Sequence, residues 1–168
     1  RWLAFTDADT TVSQSWLADQ LALQSDVVCG TVQVADWSAH GVQADTARRH
    51  FETTYTDRDG HRHVHGANLG ISAWHYRQAG GFDARTCGED QDLVDRLAAG
   101  GARIAWSARP RVMTSGRAYS RVADGFAGAL RQGWALPGDA PPELPVLQGA
   151  LAQQALALPQ PQAGSSTR

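Results

Sequence analysis

The sequence contains no lysine; all 15 of its basic residues are arginine. Set against 17 acidic residues they leave a formal net charge of −2, which excludes a nucleic-acid surface built on bulk positive charge. Cysteine is scarce. Cys29 and Cys87 are too few for a disulfide framework and too far apart for a zinc spacing, so a reducing, cytoplasmic compartment is the expectation. No apolar run approaches the roughly 20 residues that a membrane helix requires, so no membrane span is expected. No signal-peptide pattern is visible in these residues. A polar lead-in is missing as well: Arg1-Trp2 enters an apolar run at once. The expectation is that residues before Arg1 belong to the protein.

What is present suits a globular chain. Of 168 residues, 42% are hydrophobic and 19% charged, enough for one domain with a real core. Trp2-Leu3-Ala4-Phe5 reads as a buried β-strand. Trp16, Leu17, Leu21 and Leu23 suggest a helix over about 13–24, with Ser13 as its N-cap. The β-branched runs over 27–34 form a strand, bent at Gly30. Residues 41–55 carry helical spacing, and Asp57-Arg58-Asp59-Gly60 is a turn signal. The stretch 61–70, rich in histidine and glycine, reads as a loop across a site. A short strand at 71–73, a short helix at 74–79 and an amphipathic helix at 90–99 follow, the last stopped by Gly100-Gly101. Strands are expected at 103–106 and 111–114 around Pro110, and a helix at about 120–132. Beyond a domain over 1–134, the chain reads as a proline-rich linker over 135–145, a last helix over 146–158 and a disordered tail over 159–168.

Two acidic clusters carry the chemistry. Asp7 and Asp9 leave the carboxyl end of the first strand, where open α/β sheets bind ligands. Two carboxylates two residues apart can turn toward one Mn²⁺ or Mg²⁺, with substrate phosphates completing the shell. Two solvated aspartates in a strand–helix loop is the plainer alternative. Glu89-Asp90-Gln91-Asp92 opens the helix at 90–99. Acidic residues there complement the helix dipole, and a carboxylate in such a place can also serve as a general base.

Four motifs in order resemble family 2 glycosyltransferases of the GT-A fold. They are Thr6-Asp7-Ala8-Asp9, then His65-Gly66-Ala67-Asn68-Leu69-Gly70, then Gly80-Gly81-Phe82-Asp83, then Gly88-Glu89-Asp90-Gln91-Asp92-Leu93 with Arg96-Leu97. The resemblance implies an α/β, GT-A-like architecture, incomplete at its N-terminus: a mixed, mostly parallel sheet with helices on both faces. It implies metal-dependent, inverting transfer of a sugar from a nucleotide-diphosphate donor to an acceptor glycan, lipid or small molecule. Asp7 and Asp9 would hold the metal and, through it, the diphosphate. Asp90 would be the general base and Glu89 would orient the site. Gly66 and Asn68 would lie beside the donor sugar, and Arg117 would hold the diphosphate where relatives place a histidine or a basic residue. His65 would contact the acceptor, although a surface histidine fits equally. Trp74 would offer it a stacking face, with core packing as the alternative for Trp74 and for Trp106.

The relatives open with a nucleotide-binding half, and nothing in this chain matches it. Poor donor binding by these 168 residues alone, or none, is therefore expected. Two other readings stand beside the transferase. Phe5 to Thr11 also matches the signature of haloacid-dehalogenase-like phosphatases, with Asp7 as nucleophile. That family uses a downstream lysine, and this chain has none. An inactive transferase remnant, serving as an interaction module through the apolar face of Leu144 to Leu158, is the non-enzymatic alternative.

Overall fold

A computed structural model describes residues 1–84 and 88–116, which lie within a unit spanning Arg1–Leu136. The helix expected at 120–132, the linker, the last helix and the tail fall outside the described residues.

Five strands form one mixed sheet in the order β1-β4-β3-β5-β2: β1 (Trp2–Phe5), β2 (Thr11–Val12), β3 (Val27–Val34), β4 (Leu69–Ser72) and β5 (Ile104–Thr114). The helices are α1 (Trp16–Ala22), α2 (Ala44–Thr54), α3 (Ala73–Gln78) and α4 (Glu89–Ala99), with short 3₁₀ turns at Ser38–Gln43 and Gly66–Asn68. The mostly parallel sheet is corrected. Among the described residues only β3 and β5 pair in parallel; β1–β4, β3–β4 and β2–β5 are antiparallel. β1, β3 and β5 nevertheless run the same way, with β4 reversed between β1 and β3.

Helices on both faces are borne out. Alternation along β3 and β4 sends Val27, Cys29, Leu69 and Ile71 to one face, where Leu93, Val94 and Leu97 of α4 cover them. The opposite face carries Val32 and Val112, packed with Trp16 of α1 and with Ala67. Fully burying aliphatic side chains of this size stabilises by about 1.5–3 kcal/mol each.

Local corrections have physical causes. β1 is an edge strand with Ala4 exposed and its neighbours half-buried, not a buried one. α1 starts later than expected, and Ser15 precedes it, not Ser13. The Ser15 hydroxyl donates to Asp19 Oδ2 at 2.7 Å and does not cap the backbone. The buried stripe of α1 is Trp16 and Gln20, while Leu17 and Leu21 face outward. Gln20 is tolerated inside because its Oε1 accepts from Trp2 Nε1 at 2.8 Å and it lies over the bare Cα of Gly70. β4 takes in Leu69 and Gly70 from the expected loop, and Ala73 opens α3. The two strands expected around Pro110 are one. Its register against β3 slips between Gly30/Ser107 and Val32/Val112, so the irregularity sits around Pro110, which has no N–H to give the ladder.

Candidate functional site

The ends of the strands bring the acidic motifs together. Phe5, Leu69 and Cys29 lie level across the sheet, and Cys29 is level with Trp106. Beyond that line stand the loop that follows β1, the Gly66–Asn68 turn that precedes β4, and the continuations of β3 and β5. β1 and β2 are opposite edges of the sheet, so residues 6–10 cross from one edge to the other. The backbone N–H of Thr10 donates to the Asp7 carbonyl at 3.1 Å, and the Thr10 and Thr114 hydroxyls share a hydrogen bond of 2.9 Å. Asp7 and Asp9 are exposed on this fastened turn.

Asp90 reaches the same end. Its Oδ2 accepts from the Gly66 N–H at 2.9 Å, and its Oδ1 accepts from the Gln91 N–H at 2.8 Å. Both carboxylate oxygens are thus oriented by backbone donors. Glu89 sits half-buried at the first position of α4. Beneath them Cys29 is fully buried. Burial first, and the Asp90 carboxylate second, push its thiol up to about 12, so it is inert packing.

The helix that carries Asp90 is tied to the Gly80-Gly81 turn by Arg96. Its guanidinium donates to the Ala79 carbonyl, and to the Gly81 carbonyl at 2.9 Å. Asp92 Oδ2 accepts from Arg96 Nε at 2.9 Å, so Asp92 aims this clamp.

Other expected site residues are placed differently. Asn68 has no solvent-exposed surface. Its Oδ1 accepts from Trp16 Nε1 at 2.8 Å, and its Nδ2 donates to the carbonyls of Thr31, at 2.7 Å, and of Pro110. It locks the core. His65 directs Nε2 at the Tyr55 hydroxyl at 3.0 Å. Burial first, then His63 and His61, push its imidazole down to about 4. Trp74 is 61% exposed but follows Ser72, which is level with Trp2. It therefore lies at the end of the sheet opposite Gly66. Trp106 meets the edge of His61 and has the Arg62 guanidinium 5.2 Å above its ring. Arg117 and Cys87 lie outside the described residues.

Three features escaped the sequence reading. The Thr10–Thr114 bond joins residues 104 positions apart. The Arg96 clamp had a local trace, an acidic residue four positions before an arginine on a helix. The third is a stack in which Tyr55 lies between Phe51, with centroids 4.5 Å apart, and His63, at 4.2 Å.

Among the described residues no group of three His, Cys, Asp or Glu side chains is placed to hold a metal ion. No helix among them is long and apolar enough to cross a membrane. No protein-family model matches the chain, and no curated protein matches it in sequence.

Proposed function

We propose that the protein is a glycosyltransferase of the family 2 type, moving a sugar from a nucleotide-diphosphate donor to an acceptor hydroxyl with inversion. One observation carries the reading: Asp90, from the Glu-Asp helix, is hydrogen-bonded to Gly66 of the second motif, at the sheet end where the Asp7–Asp9 turn emerges. Three of the four motifs, each common by chance, thus lie at one end of the sheet. The four-motif resemblance supports a GT-A fold, and the helices on both faces accord with it.

Asp90 would take the proton of the acceptor hydroxyl as that oxygen attacks the anomeric carbon and the nucleoside diphosphate departs. The Gly66 and Gln91 amides hold the carboxylate in one rotamer, and Glu89 orients the acceptor beside it. Asp7 and Asp9 fit a hard divalent cation. They offer exposed oxygens two residues apart on a turn fastened at Thr10, leaving the rest of the shell to diphosphate and water. Bound there, Mn²⁺ or Mg²⁺ supplies Lewis-acid neutralisation of the departing diphosphate.

The test is release of nucleoside diphosphate from a panel of nucleotide sugars offered with mixed acceptors, comparing the native protein with Asp90→Asn. The loss expected on removing a general base is about 10²–10⁴-fold in kcat, with donor affinity retained. Equal rates in the two proteins would remove Asp90 from the chemistry.

A further inference from the structure

We propose that Tyr55 is a positioning residue for Asp90, acting through His65 and the peptide that joins His65 to Gly66. The reactive role of Asp90 rests on the transferase reading above; the positioning itself rests on the geometry that follows.

The peptide unit between His65 and Gly66 is planar, so its carbonyl and its N–H point in opposite directions and turn together. The His65 carbonyl accepts from the Asn68 N–H at 2.9 Å, while the Gly66 N–H donates to Asp90 Oδ2 at 2.9 Å. Asn68 itself is immobilised by three side-chain hydrogen bonds. One side of the plane is therefore anchored in the core and the other faces the carboxylate. The plane moves with His65, whose backbone is extended at φ −138° and ψ 121°.

Tyr55 holds the His65 ring. Its oxygen accepts from the Val32 N–H at 2.9 Å, so its own hydrogen is left to donate to His65 Nε2 at 3.0 Å. This requires His65 to be neutral with its proton on Nδ1, in keeping with the downward push on its imidazole. The Tyr55 ring is held between Phe51 and His63, stacked at 16° and 12°. The hydroxyl is thus a fixed point, tied to β3 through Val32, from which the imidazole and the peptide behind it are hung. Phenylalanine would fill the same stack but would leave both His65 Nε2 and the buried Val32 N–H without this partner.

The measurement is hydrogen exchange of the Gly66 amide by NMR in the full chain, with the core amides of Val28 and Ile71 as internal reference. Tyr55→Phe keeps the ring and removes the hydroxyl's bonds to His65 and to Val32, whereas His65→Leu removes the first alone; at least a tenfold acceleration at Gly66 is expected, with Val28 and Ile71 unchanged. His65→Leu should act alike, and His65→Gln, which keeps an acceptor for Tyr55, should restore most of the protection. Native exchange at Gly66 in Tyr55→Phe overturns the proposal, as does equal acceleration of the core amides, which marks a general loss of stability. With transfer activity in hand, Tyr55→Phe should lower kcat about tenfold with donor KM within twofold, and an unchanged kcat overturns the link to Asp90. A native protein that binds nucleotide sugar but transfers it to no acceptor sinks the transferase reading, while the exchange result still decides whether Tyr55 holds the Gly66 amide.

Discussion

Gly30 and Asn68 face each other across β3 and the start of β4, and the missing side chain of one makes room for the amide of the other. A Cβ at Gly30 would overlap the Asn68 amide and stand 2.6 Å from the Pro110 carbonyl. Through that gap Asn68 reaches the carbonyls of Thr31 and Pro110, the two that the register slip of β5 leaves beside it. The other backbone groups of the bulge are also served. The N–H of Ala108 donates to Asp59 at 2.8 Å, the N–H of Arg109 donates to the Ser107 hydroxyl at 3.2 Å, and Pro110 has none to place.

Asn68→Ala should therefore destabilise the protein by about 3–5 kcal/mol, since it strands buried polar groups that each cost about 1–3 kcal/mol unpaired. Gly30→Ala should cost a similar amount through overlap. The double substitution should be milder than the sum by roughly 1 kcal/mol or more, because removing the Asn68 amide also removes its overlap with the new Cβ. Urea unfolding of the four proteins checks this. Strict additivity would mean that the two residues do not share a site.

How much of this was legible depends on range. α4 was readable because Leu93, Val94 and Leu97 repeat at helical spacing and Gly100-Gly101 stop it. The Asp57–Gly60 turn was readable because Gly60, at φ +82°, takes a backbone that glycine alone adopts cheaply. The core bonds of Asn68 were not legible because the motif carries its name but not its direction; only the pairing of Leu69 with Cys29 shows that Asn68 points across at Gly30. The direction of β4 was equally hidden, since an apolar run of four residues reads the same either way. That reversal is what brings Gly66, and not Trp74, to the end of the sheet where Asp7 and Asp9 emerge.

The Arg96 clamp changes what Asp92 is expected to do. A first-turn carboxylate serving only the helix dipole is worth about 0.3–1 kcal/mol. Asp92 also aims the guanidinium that satisfies the carbonyls of Ala79 and Gly81. Asp92→Asn should lower stability by about 1–2 kcal/mol, within the range of hydrogen bonds to charged groups. Arg96→Lys should not rescue Arg96→Ala, because an ammonium lacks the planar fork that reaches three acceptors. Thermal melts of the three variants check it, and a native-like Arg96→Lys would refute the clamp.

Acid should weaken the protein before its carboxylates matter. His61, His63 and His65 are all pushed below the ordinary 6.5, each chiefly by burial, and His65 to about 4. Two of them accept backbone hydrogen bonds that only a neutral ring can take: Thr56 N–H to His63 Nε2 at 3.0 Å, and His63 N–H to His61 Nδ1 at 3.1 Å. The unfolded chain takes up protons first, so their contribution is full above pH 6.5 and is lost as pH falls toward 4. Asp26, held down by Arg103, and Asp59, held down by the Ala108 amide, add their loss only below about their ordinary 3.8. Tm should therefore fall steadily between pH 7 and 4.5, and His63→Gln should flatten that slope. A Tm that is level over this interval would contradict the placement of the three rings.

The last prediction concerns the turn that carries Asp7 and Asp9. If these carboxylates hold a cation together with a diphosphate, affinity depends on their charge and on how firmly the turn is fixed. Asp9→Asn removes charge and should weaken Mn²⁺-dependent binding of a nucleoside diphosphate at least about tenfold, since the ligands of a hard cation are its negative oxygens. Thr10→Val keeps both carboxylates and removes the bond to Thr114. Its effect should be smaller, Thr10→Ser should restore the bond, and Thr114→Val should add nothing to Thr10→Val because the two share one interaction. Calorimetric titration with the nucleoside diphosphate, with Mn²⁺ and with the metal chelated, separates the contributions. Binding that ignores the metal in every variant would rule out the carboxylate pair as its seat. Additive losses at Thr10 and Thr114 would show instead that each acts on its own, and that the bond between them does not hold the turn.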